Sequence, residues 1–171
     1  MISKELTNRL STSIILFPLT IFFIIADKTI FIFFLFLITI FVLREWFSIN
    51  KKKNSPIYIA GLIFIFLSTI SAYFLRGDDK ESIIFFVWIL TICFMSDIGG
   101  YVIGKNFGKK KLTKISPKKT YEGALGSLFF SLFPIFFIYF FKLNTYTISL
   151  SLKTILLSLI LSLVCQLGDI F

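Results

Sequence analysis

The chain has 171 residues, of which 57% are hydrophobic, and its mean hydropathy is +0.91. Soluble domains contain about 45–50% apolar residues, so this composition excludes an ordinary water-soluble globular domain. The formal net charge is +9, and the absence of His excludes imidazole general bases and His-ligated metals. In a soluble protein this charge would indicate nucleic-acid binding. Lysines that flank membrane spans account for it better here, so no nucleic-acid partner is expected.

The apolar residues form six runs of about 15–20 residues, which is long enough for a helix to cross the core of a bilayer. A lone strand could not satisfy its backbone hydrogen bonds in lipid, so each run is expected to be helical. The sequence therefore predicts an all-α, polytopic transmembrane helix bundle with about six spans. These predicted spans cover residues 10–26, 29–43, 57–75, 82–95, 123–141 and 148–167.

A short basic head precedes the first run, so a signal peptide is one interpretation of the N-terminus. No Ala-x-Ala cleavage site follows, and Asp27-Lys28 leads directly into the second run, which favours a retained helical hairpin. With the N-terminus inside, 13 Lys and Arg residues fall on the inner side of the membrane and five on the outer side. Because basic residues accumulate on the cytoplasmic side, the N-terminus and the polar loop after the fourth span are predicted to be cytoplasmic.

The long polar loop, residues 96–126, separates the fourth predicted span from the fifth. Connections of this length are usually functional or disordered, and the Gly, Pro, aromatic and acidic residues among its lysines do not resemble a disordered tail. We therefore divide the chain into four N-terminal spans, residues 1–95, and a region that carries the chemistry, residues 96–171. The loop contains seven lysines: Lys105, Lys109, Lys110, Lys111, Lys114, Lys118 and Lys119.

Two carboxylates follow apolar runs: Asp97 at the predicted end of the fourth span and Asp169 at the end of the sixth. Two spans separate them, so both should return to the same face of the membrane. Each could be the polar end of a helix, or the two could hold a cation, since carboxylate oxygens suit Mg²⁺. No thiolate cluster competes for a metal, because Cys93 and Cys165 lie in apolar runs without CxxC spacing, which indicates core packing.

Gly100, Gly104 and Gly108 recur at a spacing of four residues. Small residues at this spacing let helices approach each other closely in membranes. The alternative interpretation is a close approach of the backbone to a phosphate. A phosphate-binding P-loop is rejected, because the run lacks the second glycine spacing and the Ser or Thr after Lys105.

The run SPKKTYEG, residues 116–123, supports two interpretations. Thr120 could cap the following helix, with Glu122 in the first turn near the positive end of the helix dipole. Capping does not explain the adjacent lysines, Lys118 and Lys119. Lysines and a helix N-terminus that point at one place make an anion site, which fits a triphosphate or a phosphate head group.

These residues resemble those of the bacterial phosphatidate cytidylyltransferases, also called CDP-diacylglycerol synthases. Gly100 stands where the family usually has Ala, and Tyr121 where it often has Trp. The resemblance covers most of the chain and is strongest over residues 91–171, where the ISPKKTxEG run is specific. The matching residues are SDIGGY at 96–101, Gly104, FGK at 107–109, ISPKKTYEG at 115–123 and QLGD at 166–169.

The resemblance implies transfer of a cytidylyl group from CTP to phosphatidic acid, giving CDP-diacylglycerol and pyrophosphate, in a bacterial inner membrane. The expected partners are CTP, phosphatidic acid and membrane lipid, and a homodimer is left open. It also implies Mg²⁺ as cofactor, with Asp97 and Asp169 as its ligands. The implied catalytic residues are Asp97, Lys118, Lys119 and Asp169. The residues implied to bind phosphate or shape the loop are Lys109, Ser116, Lys118, Lys119, Thr120 and Glu122.

Within these 171 residues the pattern has no counterpart of the signature that follows the family's Gly-Asp pair. That signature comprises Ser-x-x-Lys-Arg, Lys-Asp, Pro-Gly-His-Gly-Gly and Asp-Arg-x-Asp. Residues 96–171 are therefore expected to correspond to the start of the family's catalytic region. The alternatives are a catalytically inactive fragment and a non-enzymatic membrane transport or lipid-binding protein. CTP-dependent lipid kinases share some of these features. The residues therefore define the acceptor lipid less well than the type of reaction.

Overall fold

A computed structural model describes residues 16–49, 56–113, 116, 119–140 and 148–168. Over these residues the chain is all-helical, as predicted, apart from one isolated backbone bridge between Lys111 and Thr120. The helices are α1 (Leu16–Ile25), α2 (Lys28–Ile49), α3 (Pro56–Arg76), α4 (Lys80–Phe107), α5 (Tyr121–Phe130), α6 (Phe133–Phe140) and α7 (Leu152–Gly168).

Four helical segments of the described chain are long and apolar enough to cross a membrane: α2, α3, α4 and the combined α5–α6 segment, Tyr121–Phe140. Helix α7 has 17 residues, and α1 is described only from Leu16, so both are shorter. The structure therefore confirms an apolar helical protein with four candidate spans, and the count of six stays a prediction. Two compact units divide the chain, Met1–Ile83 and Ile84–Phe171. The functional boundary at residue 95 also stays a prediction.

Helix α4 is longer than the sequence predicted. The fourth span was predicted to end at residue 95, but α4 has 28 residues and ends at Phe107. The first twelve residues of the predicted polar loop, 96–107, are therefore helical, and α5 begins at Tyr121 instead of Gly123. A helix of this length spans about 42 Å, which exceeds the roughly 30 Å hydrocarbon core of a bilayer. Its last turns can therefore carry polar residues beyond the lipid tails.

In the first unit, Arg76 caps the end of α1. Its guanidinium donates hydrogen bonds to the carbonyl oxygens of Ile24 and Ala26 and lies 5.2 Å from the ring centroid of Phe31. The last carbonyls of a helix have no partner within the helix, so these bonds satisfy two acceptors that would otherwise be unpaired. Arg76 is only 4% exposed. Arg76 and Ala26 are 50 residues apart along the chain, so no local sequence pattern predicts their contact.

In the second unit, small polar residues line the buried face of α7. Thr154, Ser158 and Ser162 recur at four-residue spacing and are buried. The Ser162 hydroxyl lies 2.7 Å from the Ser96 hydroxyl of α4. Such residues are common at helix interfaces in membranes, where close backbone approach and interhelical hydrogen bonds replace the hydrophobic effect.

The same interface contains both cysteines. The Cys93 and Cys165 sulfur atoms are free thiols 3.1 Å apart, and both side chains are half-buried. This position agrees with the packing role predicted for them.

Replacing Arg76 with Ala should destabilise the protein, because the buried carbonyl of Ile24 and the half-buried carbonyl of Ala26 would lose their donors. Each buried polar group left unsatisfied costs about 1–3 kcal/mol. Thermal unfolding of the purified protein in detergent would measure the loss. The matched control is Arg44→Ala, which removes an exposed arginine from α2. Equal unfolding temperatures for the two variants would contradict the capping role.

Candidate active site

Glycines bring α4 and α5 together at the level of the backbone. A Cβ atom added to Gly99 would lie 2.5 Å from the carbonyl oxygen of Gly126, and one added to Gly126 would lie 2.7 Å from that of Gly99. A Cβ on Gly123 would lie 2.9 Å from the carbonyl oxygen of Gly100. Real Cβ atoms do not approach other atoms this closely, so larger residues would separate the helices. We call this contact the glycine interface.

The four-residue glycine spacing thus serves helix packing. A Cβ on Gly104 would lie 3.4 Å from the Cα of Gly123, and one on Gly108 would meet the Thr120 side chain at 2.7 Å. Gly100 faces Ser127 of α5 in the same way. The close-packing interpretation is therefore confirmed, since all three glycines face α5 or the residue that caps it.

Thr120 is the N-cap of α5, as predicted. Its backbone is extended, with φ −122° and ψ 154°, and its hydroxyl accepts a hydrogen bond from the Gly123 N–H at 3.1 Å. The Tyr121 N–H donates to the Lys110 carbonyl at 3.0 Å. These amides are therefore already engaged, and an anion bound here would be held mainly by lysine side chains.

Glu122 closes the base of the connection between α4 and α5. Its carboxylate accepts hydrogen bonds from the backbone N–H groups of Lys109, at 3.1 Å, and Lys110, at 3.4 Å. The Leu112 N–H also donates to the Lys119 carbonyl at 2.8 Å, beside the bridge between Lys111 and Thr120. Both ends of the connection are therefore fixed against each other. We call residues 108–120 the lysine loop.

A turn lies within the lysine loop at Ser116. Its N–H donates to the Thr113 hydroxyl at 3.1 Å, and its carbonyl oxygen accepts from the Lys119 N–H at 3.1 Å. Ser116 and Lys119 are half-buried, whereas the side chains of Lys109, Lys110 and Lys111 are exposed. Lys114 and Lys118 lie outside the described residues. Several lysines converge on one short segment, and clustered charge of one sign attracts an anionic ligand.

Asp97 lies inside α4 and not at the end of a span. The helix continues for ten residues beyond it to Phe107, which corresponds to about 15 Å. The predicted position at a helix end is therefore wrong, and so is the interpretation of Asp97 as the polar end of a helix. The side chain is exposed.

The second predicted carboxylate, Asp169, lies outside the described residues, so its approach to Asp97 stays a prediction. The described end of α7 does reach α5. The Gln166 side-chain amide donates to the carbonyl oxygen of Ala124 at 3.3 Å. Among the described residues, no group of three or more His, Cys, Asp or Glu side chains could hold a metal ion.

Sequence reasoning missed a pair on α4, Tyr101 and Lys105. The Lys105 ammonium donates to the Tyr101 hydroxyl at 3.2 Å and lies 5.4 Å from the centroid of its ring. Both side chains are exposed. The available signal was their spacing of four residues, which places two side chains on one helix face once the segment is known to be helical. The same spacing separates Tyr101 from Asp97.

Comparison with known proteins matches residues 57–171 to the cytidylyltransferase family. The chain is 30% identical to the phosphatidate cytidylyltransferase of Rickettsia conorii, over 95% of this chain and 72% of that protein. It is 30% identical to that of Rickettsia felis, over 95% of this chain and 73% of the relative. It is 39% identical over 135 residues to that of Staphylococcus aureus, which covers 76% of this chain and 50% of the relative. No solved structure matches the chain. From its family match and the extent of these similarities, the chain belongs to the cytidylyltransferase family.

Proposed function

We propose that this protein transfers a cytidylyl group from CTP to phosphatidic acid, giving CDP-diacylglycerol and pyrophosphate. The observation that carries the proposal is the lysine loop, which is closed at its base and joined to two helices that meet at the glycine interface. Relatives named phosphatidate cytidylyltransferase support the choice of substrates. In this reaction a phosphate oxygen of the lipid attacks the α-phosphorus of CTP. The bond from that phosphorus to the oxygen bridging to the β-phosphorus breaks, and pyrophosphate leaves.

The lysine loop would bind the triphosphate. Lys109, Lys118 and Lys119 would form charge-assisted hydrogen bonds to phosphate oxygens, which are about twice as strong as neutral ones. The same cations would stabilise the charge that develops on the departing pyrophosphate. Ser116 would hold the turn, while Thr120 and Glu122 would fix the backbone from which the lysines project. Positioned charges of this kind supply most of the catalysis in phosphoryl-group chemistry.

Asp97 fits a magnesium ion that is shared with the substrate. Mg²⁺ usually binds to one or two carboxylates and to substrate phosphates, and seldom to a cage made wholly of protein ligands. An exposed carboxylate on α4 meets that requirement, and Asp169 would supply the second. Bound there, Mg²⁺ would neutralise negative charge on the triphosphate. Glu122 is not a candidate ligand, because its carboxylate already accepts two backbone N–H groups.

The protein would lie in the bacterial inner membrane with its N-terminus and lysine loop on the cytoplasmic side. Thirteen of its 18 Lys and Arg residues fall on that side in the predicted topology, in keeping with the positive-inside rule. CTP is a cytoplasmic metabolite and phosphatidic acid is a membrane lipid. A catalytic centre near the end of a long helix such as α4 could meet both substrates.

The purified protein should form CDP-diacylglycerol and pyrophosphate from CTP and phosphatidic acid when Mg²⁺ is present. Thin-layer chromatography of labelled lipid would detect the product. CTP binding without product would point to an inactive fragment. Failure to bind CTP would contradict the proposed function and favour a transport or lipid-binding protein.

Replacing both Lys118 and Lys119 with Ala should raise the dissociation constant for CTP about a hundredfold or more, since charge-assisted hydrogen bonds contribute about 1.5–3 kcal/mol each. Titration calorimetry in detergent would measure the change. The matched control replaces Lys80 and Lys153 with Ala. These two exposed lysines lie at the N-terminal ends of α4 and α7. An equal loss of CTP affinity in both double variants would show a general charge effect and would contradict a specific phosphate site.

Glu122→Ala should open the base of the lysine loop, whereas Glu122→Gln should retain an oxygen that accepts from Lys109 and Lys110. The Ala variant is therefore expected to be cleaved by trypsin after Lys109, Lys110 or Lys111 several-fold faster than the wild type, and to bind CTP more weakly. Mass spectrometry of timed digests would locate the cuts. Glu45→Ala, which removes an exposed carboxylate from α2, is the control. Unchanged cleavage in the Glu122→Ala variant would show that Glu122 does not hold the loop.

A further inference from the structure

An exposed cation lies on α4 outside the lysine loop. The Lys105 ammonium rests against Tyr101, 3.2 Å from its hydroxyl and 5.4 Å from the centroid of its ring. Within the described ranges, no carboxylate pairs with this ammonium. Tyr101 is 51% exposed, and its neighbour Val102 is 37% exposed. Neither Tyr101 nor Lys105 belongs to the glycine interface, so the pair faces away from the backbone contact with α5.

The pair combines the two groups that a phosphate head group needs. Lys105 supplies a positive charge, and the phenol of Tyr101 can donate a hydrogen bond to a phosphate oxygen. Because the ring holds the ammonium in place, less side-chain freedom is lost when an anion binds. Tyr and Lys are also well suited to the membrane interface, where an apolar body lies in lipid and a polar tip reaches the head groups.

The pair also lies near the proposed reaction centre. Asp97, Tyr101 and Lys105 follow one another at four-residue spacing on one face of α4, which places neighbours about 6 Å apart along the axis. Helical side chains lean toward the N-terminus, and the Lys105 ammonium does so, since it reaches Tyr101 one turn earlier. An anion held by the pair would therefore lie on the side of Lys105 that faces Asp97.

We propose that Lys105 and Tyr101 bind the phosphate of the acceptor lipid, a phosphomonoester with two acyl chains. This inference rests on the proposed function, and it assigns the two phosphate-bearing substrates to different cations. The lysine loop takes the triphosphate, and the Tyr101–Lys105 pair takes the lipid phosphate.

Steady-state kinetics in mixed micelles test the assignment. Lys105→Ala should raise KM for phosphatidic acid about tenfold, as expected for the loss of one charge-assisted bond, and leave KM for CTP unchanged. Tyr101→Phe should raise KM for phosphatidic acid less than Lys105→Ala does, and Lys105→Arg should retain most of the wild-type affinity for phosphatidic acid. Lys153→Ala, which removes an exposed lysine from α7, is the control. An unchanged KM for phosphatidic acid, or an equal rise in both KM values, would overturn the proposal.

A binding measurement separates this inference from the proposed function. Dihexanoyl phosphatidic acid should raise the unfolding temperature of the wild type, and Lys105→Ala should lose that shift even if the wild type turns over no CTP. Inorganic phosphate and dihexanoyl phosphatidylcholine serve as comparisons. Equal stabilisation by inorganic phosphate would show a site for free anions and would overturn the assignment to a lipid. A shift that Lys105→Ala retains would overturn it as well.

Discussion

The glycine interface between α4 and α5 is the contact on which the rest of the site depends. Gly99 and Gly126 meet at their backbones, and each would place an added Cβ 2.5–2.7 Å from the other's carbonyl oxygen. Lipid tails are as apolar as leucine, so these helices associate through close packing and not through the hydrophobic effect. Each glycine costs about 1 kcal/mol of helix stability relative to alanine, and the packing must offset that cost.

The position of the lysine loop follows from this contact. Because α4 and α5 are held together, the residues that leave one helix and enter the other are close enough to bond. Glu122 can then reach the amides of Lys109 and Lys110, and the bridge between Lys111 and Thr120 can form. The result is a segment whose ends are fixed and on which the side chains of Lys109, Lys110 and Lys111 are exposed. Because the ends of the loop are already fixed, less backbone has to be ordered when a triphosphate binds, which lowers the entropic cost of binding.

Local features of this region could be predicted from the sequence, and distant ones could not. The Thr120 cap depends on a residue type and the next three positions, so SPKKTYEG was sufficient to predict it. Of the two interpretations of the glycine spacing, helix packing is the one that the structure confirms. The end of α4 was placed twelve residues too early because its glycines lower helix propensity and its polar residues interrupt the apolar run, whereas packing against a partner helix outweighs that preference. Arg76 and Glu122 bind atoms 50 and 13 residues away, and no local pattern reports such partners.

Cysteine cross-linking across the glycine interface is the most direct measurement of this arrangement. An added Cβ on Gly100 would lie 3.9 Å from the Cβ of Ser127, within the roughly 3.5–4.5 Å that a disulfide requires. In a chain whose native cysteines are replaced by Ser, the pair Gly100→Cys and Ser127→Cys should cross-link rapidly under mild oxidation in membranes, and mass spectrometry of tryptic peptides would detect the link. The pair Tyr101→Cys and Ser127→Cys should not cross-link, because position 101 points away from α5. Failure of the first pair, or equal cross-linking of both, would contradict the backbone contact between α4 and α5.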